Sequence, residues 1–325
     1  RHSISGADCD MNAMPHKTDT LALWAAALTL IVWSSSYAAI AYGLQGFTPS
    51  ELILSRFLLA SLCFAVPVAL RLVRLPPRQD WPAVIALGLI GNVGYQLCLC
   101  YSMTRISPGA AAVVISLVPG VTSVLALLRL HEALSKRAIV GLLIAFAGTL
   151  LVTVGGGDEI RFEPIAFLVF VAVLCSSSYF VWQKPLLTRT SPLGFTAASM
   201  FVATIAMLPF GIHLPEKILT VPPALLLDVL YLALVPTVIG FLSWSFALSR
   251  APASRVSSFL YLQPVGACVI AWLWLDQIPT WITVIGGALA IGGVVLTTLH
   301  GNRLKLPRGW GAPAKVGRET GDIQI

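Results

Sequence analysis

Ten runs of apolar residues follow one another along this chain: 21–43, 49–72, 81–104, 108–129, 135–154, 163–184, 191–212, 223–249, 252–274 and 279–299. No other feature limits the fold as tightly. A run of about 20 apolar residues is what a helix needs to cross the ~30 Å hydrocarbon core of a bilayer. Inside that core the backbone must satisfy its own N–H and C=O groups, so each run must be helical. Composition agrees: of 325 residues 57% are hydrophobic and 11% charged, against about 25% charged in a soluble domain. So few charges cannot cover the surface of a soluble fold. The expected fold is an all-α membrane protein with ten transmembrane helices. Prolines punctuate the connections at Pro49, Pro76–Pro77, Pro108, Pro192, Pro222–Pro223, Pro252 and Pro279, where the missing N–H of a first helical turn costs nothing.

The chain also repeats itself. A shift of 145 residues pairs Tyr101-Ser-Met-Thr-Arg105 with Phe246-Ala-Leu-Ser-Arg250, Pro119 with Pro264, Gly141 with Gly286 and Gly148 with Gly293. A shift of 142 pairs Ser34-Ser-Ser-Tyr37 with Ser176-Ser-Ser-Tyr179. The expected organisation is a leader over 1–20, a five-helix repeat over 21–154, a second over 155–300 and a basic tail over 301–325. Five crossings is an odd number, so the second repeat enters the bilayer inverted. Inverted repeats are the architecture of secondary transporters, with binding near the midplane where the halves meet.

Charge sets the orientation. With the amino terminus inside, 17 Lys and Arg fall on the cytoplasmic side and 3 (Arg105, Arg161, Lys217) outside, with Arg56 inside span 2. The positive-inside rule therefore expects both termini in the cytoplasm. The net charge of +7 is spent on short loops, which argues against nucleic acid as a partner. Trp24, Trp81, Trp272, Trp274 and Trp281 fall near run ends, as in an aromatic belt. Residues 1–17 lack an apolar core and do not read as a signal peptide. The six cysteines show no metal spacing, and five lie in apolar runs, where Cys acts as a small hydrophobe.

Certain residues carry a resemblance. "WSSSY" (33–37), "SRFLLA" (55–60), "VPGVTSVLALLRLHEALS" (118–135) and "GLLIAFAGTLLV" (141–152) resemble the ten-helix, EamA-type members of the drug/metabolite transporter superfamily. Within it the chain is most similar to the YddG-type exporters of aromatic and other amino acids. The resemblance implies a central cavity lined mainly by spans 3, 4, 8 and 9, alternating access, and efflux from the cytoplasm.

The residues offer little enzyme chemistry. There is no G-x-S-x-G or H-E-x-x-H motif, no mid-span His and no paired intramembrane Asp, so no catalytic residue, metal site or cofactor is expected. Acidic residues fall in tails, loops or first turns, including Glu51 and Asp228. No proton carrier is apparent, and exchange or diffusion down a gradient is the simpler coupling.

Span 3 carries Asn92, Tyr95 and Gln96 at i, i+3 and i+4, one face of an α-helix at mid-depth. Such a stripe either lines a cavity or bonds neighbouring helices. Phe241 and Trp244 form an aromatic pair on span 8 that either stacks on cargo or faces lipid. Tyr179 and Trp182 on span 6 are lining candidates, with small hydroxyl residues beside them that equally permit close helix approach. Tyr101, Tyr261 and Gln263 complete the candidate substrate-binding set. Pro119 and Pro264 fall mid-span in spans 4 and 9, where proline frees a carbonyl and kinks a helix, so they are candidate hinges. The small-residue stripes Gly141/Ala145/Gly148 and Gly286/Ala290/Gly293 let spans 5 and 10 pack closely across the pseudo-two-fold. Arg56 either snorkels or bonds carbonyls near the outer face, or binds a substrate carboxylate. His131-Glu132 reads as a solvated loop or a salt bridge.

The expectation is an inner-membrane, multi-pass exporter of amino acids, aromatic and other neutral ones, that works by alternating access through a midplane cavity as a monomer in the lipid bilayer. The alternatives are an exporter of another metabolite or drug in the same superfamily, and a channel-like or receptor-like membrane protein.

Overall fold

The computed structural model describes residues 19–105, 111, 114–132, 134–155, 166–266, 269 and 280–299. Residues 1–18 of the leader, the tail, Pro108, Arg161, Trp272, Trp274 and Pro279 lie outside them. Among the described residues every regular element is helical, and helix occurs in each of the ten expected runs. Six helical stretches are long and apolar enough to cross a membrane: Thr20–Gly43, Pro49–Ala69, Arg78–Ser102, Phe167–Leu186, Pro192–Gly211 and Pro223–Arg250. They are spans 1, 2, 3, 6, 7 and 8. Spans 4, 5 and 10 contribute Val118–Leu130, Lys136–Gly155 and Trp281–Leu299. Span 9 opens with Ala253–Ser258. The chain is an all-α, multi-pass membrane protein built from two five-helix repeats.

Local chemistry starts these helices. Asp19 accepts from the Leu21 and Ala22 amides and opens span 1. Thr48 and Glu51 close a reciprocal capping box ahead of Pro49, satisfying two amides that a helix start leaves free. Ser191 caps span 7 beside Pro192.

Spans 5 and 10 pack backbone to backbone. A Cβ added at Gly141 would stand 2.7 Å from Gly293 O, and one at Gly148 would stand 2.4 Å from Ala290 N. Conversely, a Cβ at Gly286 would meet Val152 N at 2.7 Å, and one at Gly293 would meet Ala145 N at 2.4 Å. Early residues of one helix face late residues of the other, so the two run antiparallel. The contacts of Gly141 and Gly286 exchange under the 145-residue shift, as a two-fold between inverted repeats requires.

Two irregularities also obey that shift. Span 3 widens into a π-turn over Gly88–Gly94, and span 8 does so over Ala233–Ile239, the same stretch moved by 145. Spans 4 and 9 are interrupted at matched depth. In span 4 a turn at 116–117 precedes the helix Val118–Leu130. In span 9 a 3-10 segment, Phe259–Leu262, separates Ala253–Ser258 from the helical turn at 263–266. Pro119 and Pro264 thus sit in the first turn after each break rather than inside continuous helices. The sequence predicts kinks; the structure has helix starts, where proline is at home.

Candidate functional site

A cavity between the repeats lies at the depth of these irregularities. Spans 1, 2, 3, 4, 6, 8 and 9 contribute to its wall. From span 3 come Gly91, Tyr95, Gln96 and Leu99. Span 8 supplies Pro236 and Phe241, and span 9 supplies Leu260 and Gln263. Tyr37 reaches it from span 1, and Tyr179 and Phe180 from span 6.

One wall is aromatic. Trp33 stacks on Phe180 with ring centres 6.3 Å apart and meets Phe241 edge-on at 5.5 Å. Trp244 lies behind them, 4.5 Å from Phe180 and fully buried. The Trp33 indole donates to the Pro236 carbonyl at 2.9 Å, which fixes the ring against the π-turn of span 8. Glycine makes room for this wall: a Cβ at Gly240 would lie 2.4 Å from the Trp33 indole nitrogen, and one at Gly91 only 2.2 Å from the Tyr179 ring.

Other parts of the wall are polar. Pro236 has no N–H, so the Leu232 carbonyl four residues earlier loses its helical donor. The Thr237 hydroxyl donates to that carbonyl at 2.7 Å. Its own lone pairs then accept from the Arg56 guanidinium, Nε at 3.0 Å and Nη2 at 2.9 Å. Arg56 Nη1 donates to Gln96 Oε1 at 3.4 Å.

Five of the ten substrate-binding candidates line this cavity: Tyr95, Gln96, Tyr179, Phe241 and Gln263. The other five lie elsewhere. Asn92 is fully buried and donates to Ser199 O of span 7 at 3.2 Å. Its place in the π-turn explains this, because a turn of more than four residues breaks the i, i+3, i+4 register. Trp244 backs the aromatic wall without facing the space. Tyr101 is exposed and bonds Ser50 at 2.9 Å, and Trp182 is exposed on the outside of span 6. Tyr261 sits in the break of span 9, where its carbonyl accepts from Thr149 and its hydroxyl meets the Gly120 backbone beside the break of span 4. The hydroxyl runs serve both roles weighed for them. Ser34 packs against Gly266, and Ser177 donates to Val118 O at the break of span 4, while Ser36 and Ser176 face the cavity.

Trp33, Phe180 and Arg56 are wall residues outside the candidate set. The sequence carried a signal for two of them. Arg56 is the one charge deep inside an apolar run, and Trp33 lies mid-run whereas Trp24 and Trp81 lie at run ends.

Charged side chains also join the repeats at one end of the bundle. Glu132 pairs with Lys184 at 3.2 Å, Asp80 with Arg189 at 3.3 Å, and Asp19 with Arg250 at 2.9 Å. In each, the carboxylate comes from the first repeat or the leader end just before it, and the cation from the second repeat. The Arg250 hydrogen bond holds the Asp19 carboxyl below its ordinary range. That pair is therefore intact at neutral pH and is lost as pH falls through the lowered value. No group of three or more His, Cys, Asp or Glu capable of holding a metal occurs among the described residues.

Comparison with known proteins agrees with this architecture. The EamA-like transporter family matches twice, over residues 20–154 and 164–299. A probable terminal-alkyne amino-acid exporter of Streptantibioticus cattleyicolor is 33% identical over 85% of this chain and 92% of its own. A probable amino-acid metabolite efflux pump of Escherichia coli is 24% identical over 87% of this chain and 95% of its own. One crystal structure superposes with a TM-score of 0.70 at 20% identity, covering 87% of this chain and 99% of the other. Two tandem matches spanning both repeats, on a helical bundle with a cavity at their junction, place the chain in the EamA-like transporter family.

Proposed function

We propose that this transporter exports neutral amino acids, aromatic ones included, from the cytoplasm by alternating access through the central cavity. The observation that carries the reading is the composition of the cavity wall, which combines aromatic rings with amide, hydroxyl and guanidinium groups. A ring stacked on apolar cargo contributes about 0.5–1.5 kcal/mol beyond area burial. Polar groups of the same wall can bond the charged ends that every amino acid carries. The names of the two relatives support the same cargo class.

The protein sits in the cytoplasmic membrane as a monomer with both termini inside, the orientation favoured by the basic loops. The three ion pairs then lie at the cytoplasmic end and hold the bundle shut there. Pro119 and Pro264 serve as the hinges at the breaks of spans 4 and 9. No carboxylate lines the cavity among the described residues, which favours exchange or downhill export over proton coupling.

Counterflow into proteoliposomes decides the reading. Vesicles loaded with unlabelled phenylalanine should accumulate labelled phenylalanine, leucine and threonine faster than empty vesicles. Counterflow only of sugars or drugs would move the cargo to another class within the family. Flux without trans-stimulation would make the protein a channel.

A further inference from the structure

We infer that Arg56 is the receptor for the cargo's carboxylate, and that a free carboxylate is what this cavity requires of a solute. The inference rests on the proposed cargo site.

Arg56 is only 2% exposed and faces the cavity from span 2. A cation at this depth is costly unless something compensates it. Among the described residues, none of the ion pairs includes Arg56; all three lie at the far end of the bundle. Its partners are neutral, the Thr237 hydroxyl and the Gln96 amide oxygen. Asp228 on span 8 is close enough to feel the charge but makes no ion pair with it. Of the five guanidinium N–H donors, three are used by these contacts, which leaves two at the cavity wall.

A purely structural role explains this poorly. A neutral glutamine could donate to Thr237 without bringing a charge into the bilayer. The second repeat manages without one, since the 142-residue shift places Ala198 at the equivalent position. The cation is therefore an asymmetric addition to a pseudo-symmetric cavity. It is held in place by neutral acceptors that orient the guanidinium without neutralising it. A carboxylate arriving in the cavity supplies the missing charge and accepts parallel N–H bonds from the planar fork. The aromatic wall of Trp33, Phe180 and Phe241 then receives the apolar remainder. Solutes that share that remainder but lack the carboxylate leave Arg56 uncompensated and are rejected.

Titration calorimetry on the purified wild-type protein tests this with four probes: L-phenylalanine, 3-phenylpropionate, L-phenylalaninamide and phenethylamine. Phenylalanine should bind at least about tenfold tighter than its amide, and phenylpropionate about tenfold tighter than phenethylamine, the worth of a charge-assisted bond pair. In Arg56→Gln the preference should vanish, and in Arg56→Lys it should partly return. If the buried substitutions prevent folding, the wild-type series still decides. Equal binding of all four probes overturns the carboxylate role and leaves the aromatic cargo site standing. Tighter binding of the amine and amide overturns it in the same way. Binding of none of the four removes both the receptor and the proposed amino-acid cargo.

Discussion

Glu132 and Lys184 pair at 3.2 Å across the junction of the two repeats, and the same carboxylate caps span 9. Its Oε1 accepts from the Ala253 amide at 2.8 Å, and its Oε2 accepts from the Ser254 amide and hydroxyl at 3.1 and 2.9 Å. Lys184 also donates to the Ala251 carbonyl. The approach depends on His131, which ends span 4 in the left-handed region at φ 52. The turn lets the Glu132 amide reach back to Ala126 O at 3.2 Å and aims its side chain at span 9. The residue read from sequence as a loop charge or a salt bridge is a three-way clasp among spans 4, 6 and 9.

Removing that clasp should open the basic-loop end. Glu132→Ala takes away a helix cap and a charged partner, and the cap alone is worth ~1 kcal/mol. Such a change shifts a two-state equilibrium by several-fold. A single cysteine placed at Ser176, in a background without the native thiols, should be labelled several-fold faster from that side. Unchanged labelling in a well-folded variant means that the clasp is structural and not part of a gate.

The aromatic wall predicts a split between two tryptophans. Trp33→Ala removes a ring that faces the cavity, so affinity for phenylalanine should fall by about 1 kcal/mol, or fivefold, with threonine little affected. Trp244→Ala removes a ring from the packed interior instead. It should lower the melting temperature, with a stability cost of ~3–5 kcal/mol, and reduce transport of both amino acids alike. Purified variants, melted and then assayed with each cargo, separate these outcomes.

The spine between spans 5 and 10 has no room for a methyl group. Gly148→Ala and Gly293→Ala each place a carbon against backbone atoms of the other helix, so the helices must move apart. Overpacking of this kind typically costs ~1–3 kcal/mol. A drop in thermal stability is expected for either variant, with cargo affinity preserved in the protein that stays folded. Gly292, with nothing within 4 Å of an added Cβ, should accept alanine without loss and serves as the control.

Pro119 and Pro264 make a different kind of prediction. Each occupies a first helical turn, where the absent N–H would have had no partner. Replacement by alanine should therefore change stability by less than about 1 kcal/mol. It should slow transport all the same, because the break between the halves of each span is no longer enforced. Unaltered counterflow in both variants would assign the breaks to the surrounding packing and not to the prolines.

The helical runs, the repeat and the close packing of spans 5 and 10 were legible because each rests on a period or a composition that the bilayer enforces. The site was half legible, and the residues show why. Tyr95 and Gln96 begin a regular α-segment, so helical spacing placed them well. Asn92, three residues earlier, lies inside the π-turn, and a one-residue change in turn length rotates it onto span 7. Nothing local in the sequence announces such a turn. Trp244 and Phe241 share a helical face as expected, but the depth of each within the bundle depends on the opposing rings of Trp33 and Phe180. Those are set by span 1 and span 6, far away in the chain. Arg56 was visible as an anomaly, while its neutral partners come from spans 3 and 8.

The widened turns at Gly88–Gly94 and Ala233–Ile239 carry a history. A π-turn amounts to a single extra residue accommodated in an α-helix. Both repeats carry theirs at the same register, so one insertion in an ancestral five-helix unit accounts for them more simply than two independent ones. On that account the wide turn predates the duplication. Arg56 has no counterpart in the second repeat. The cavity then joins a symmetric frame to one unmatched charge, which gives it one preferred way round for an asymmetric solute.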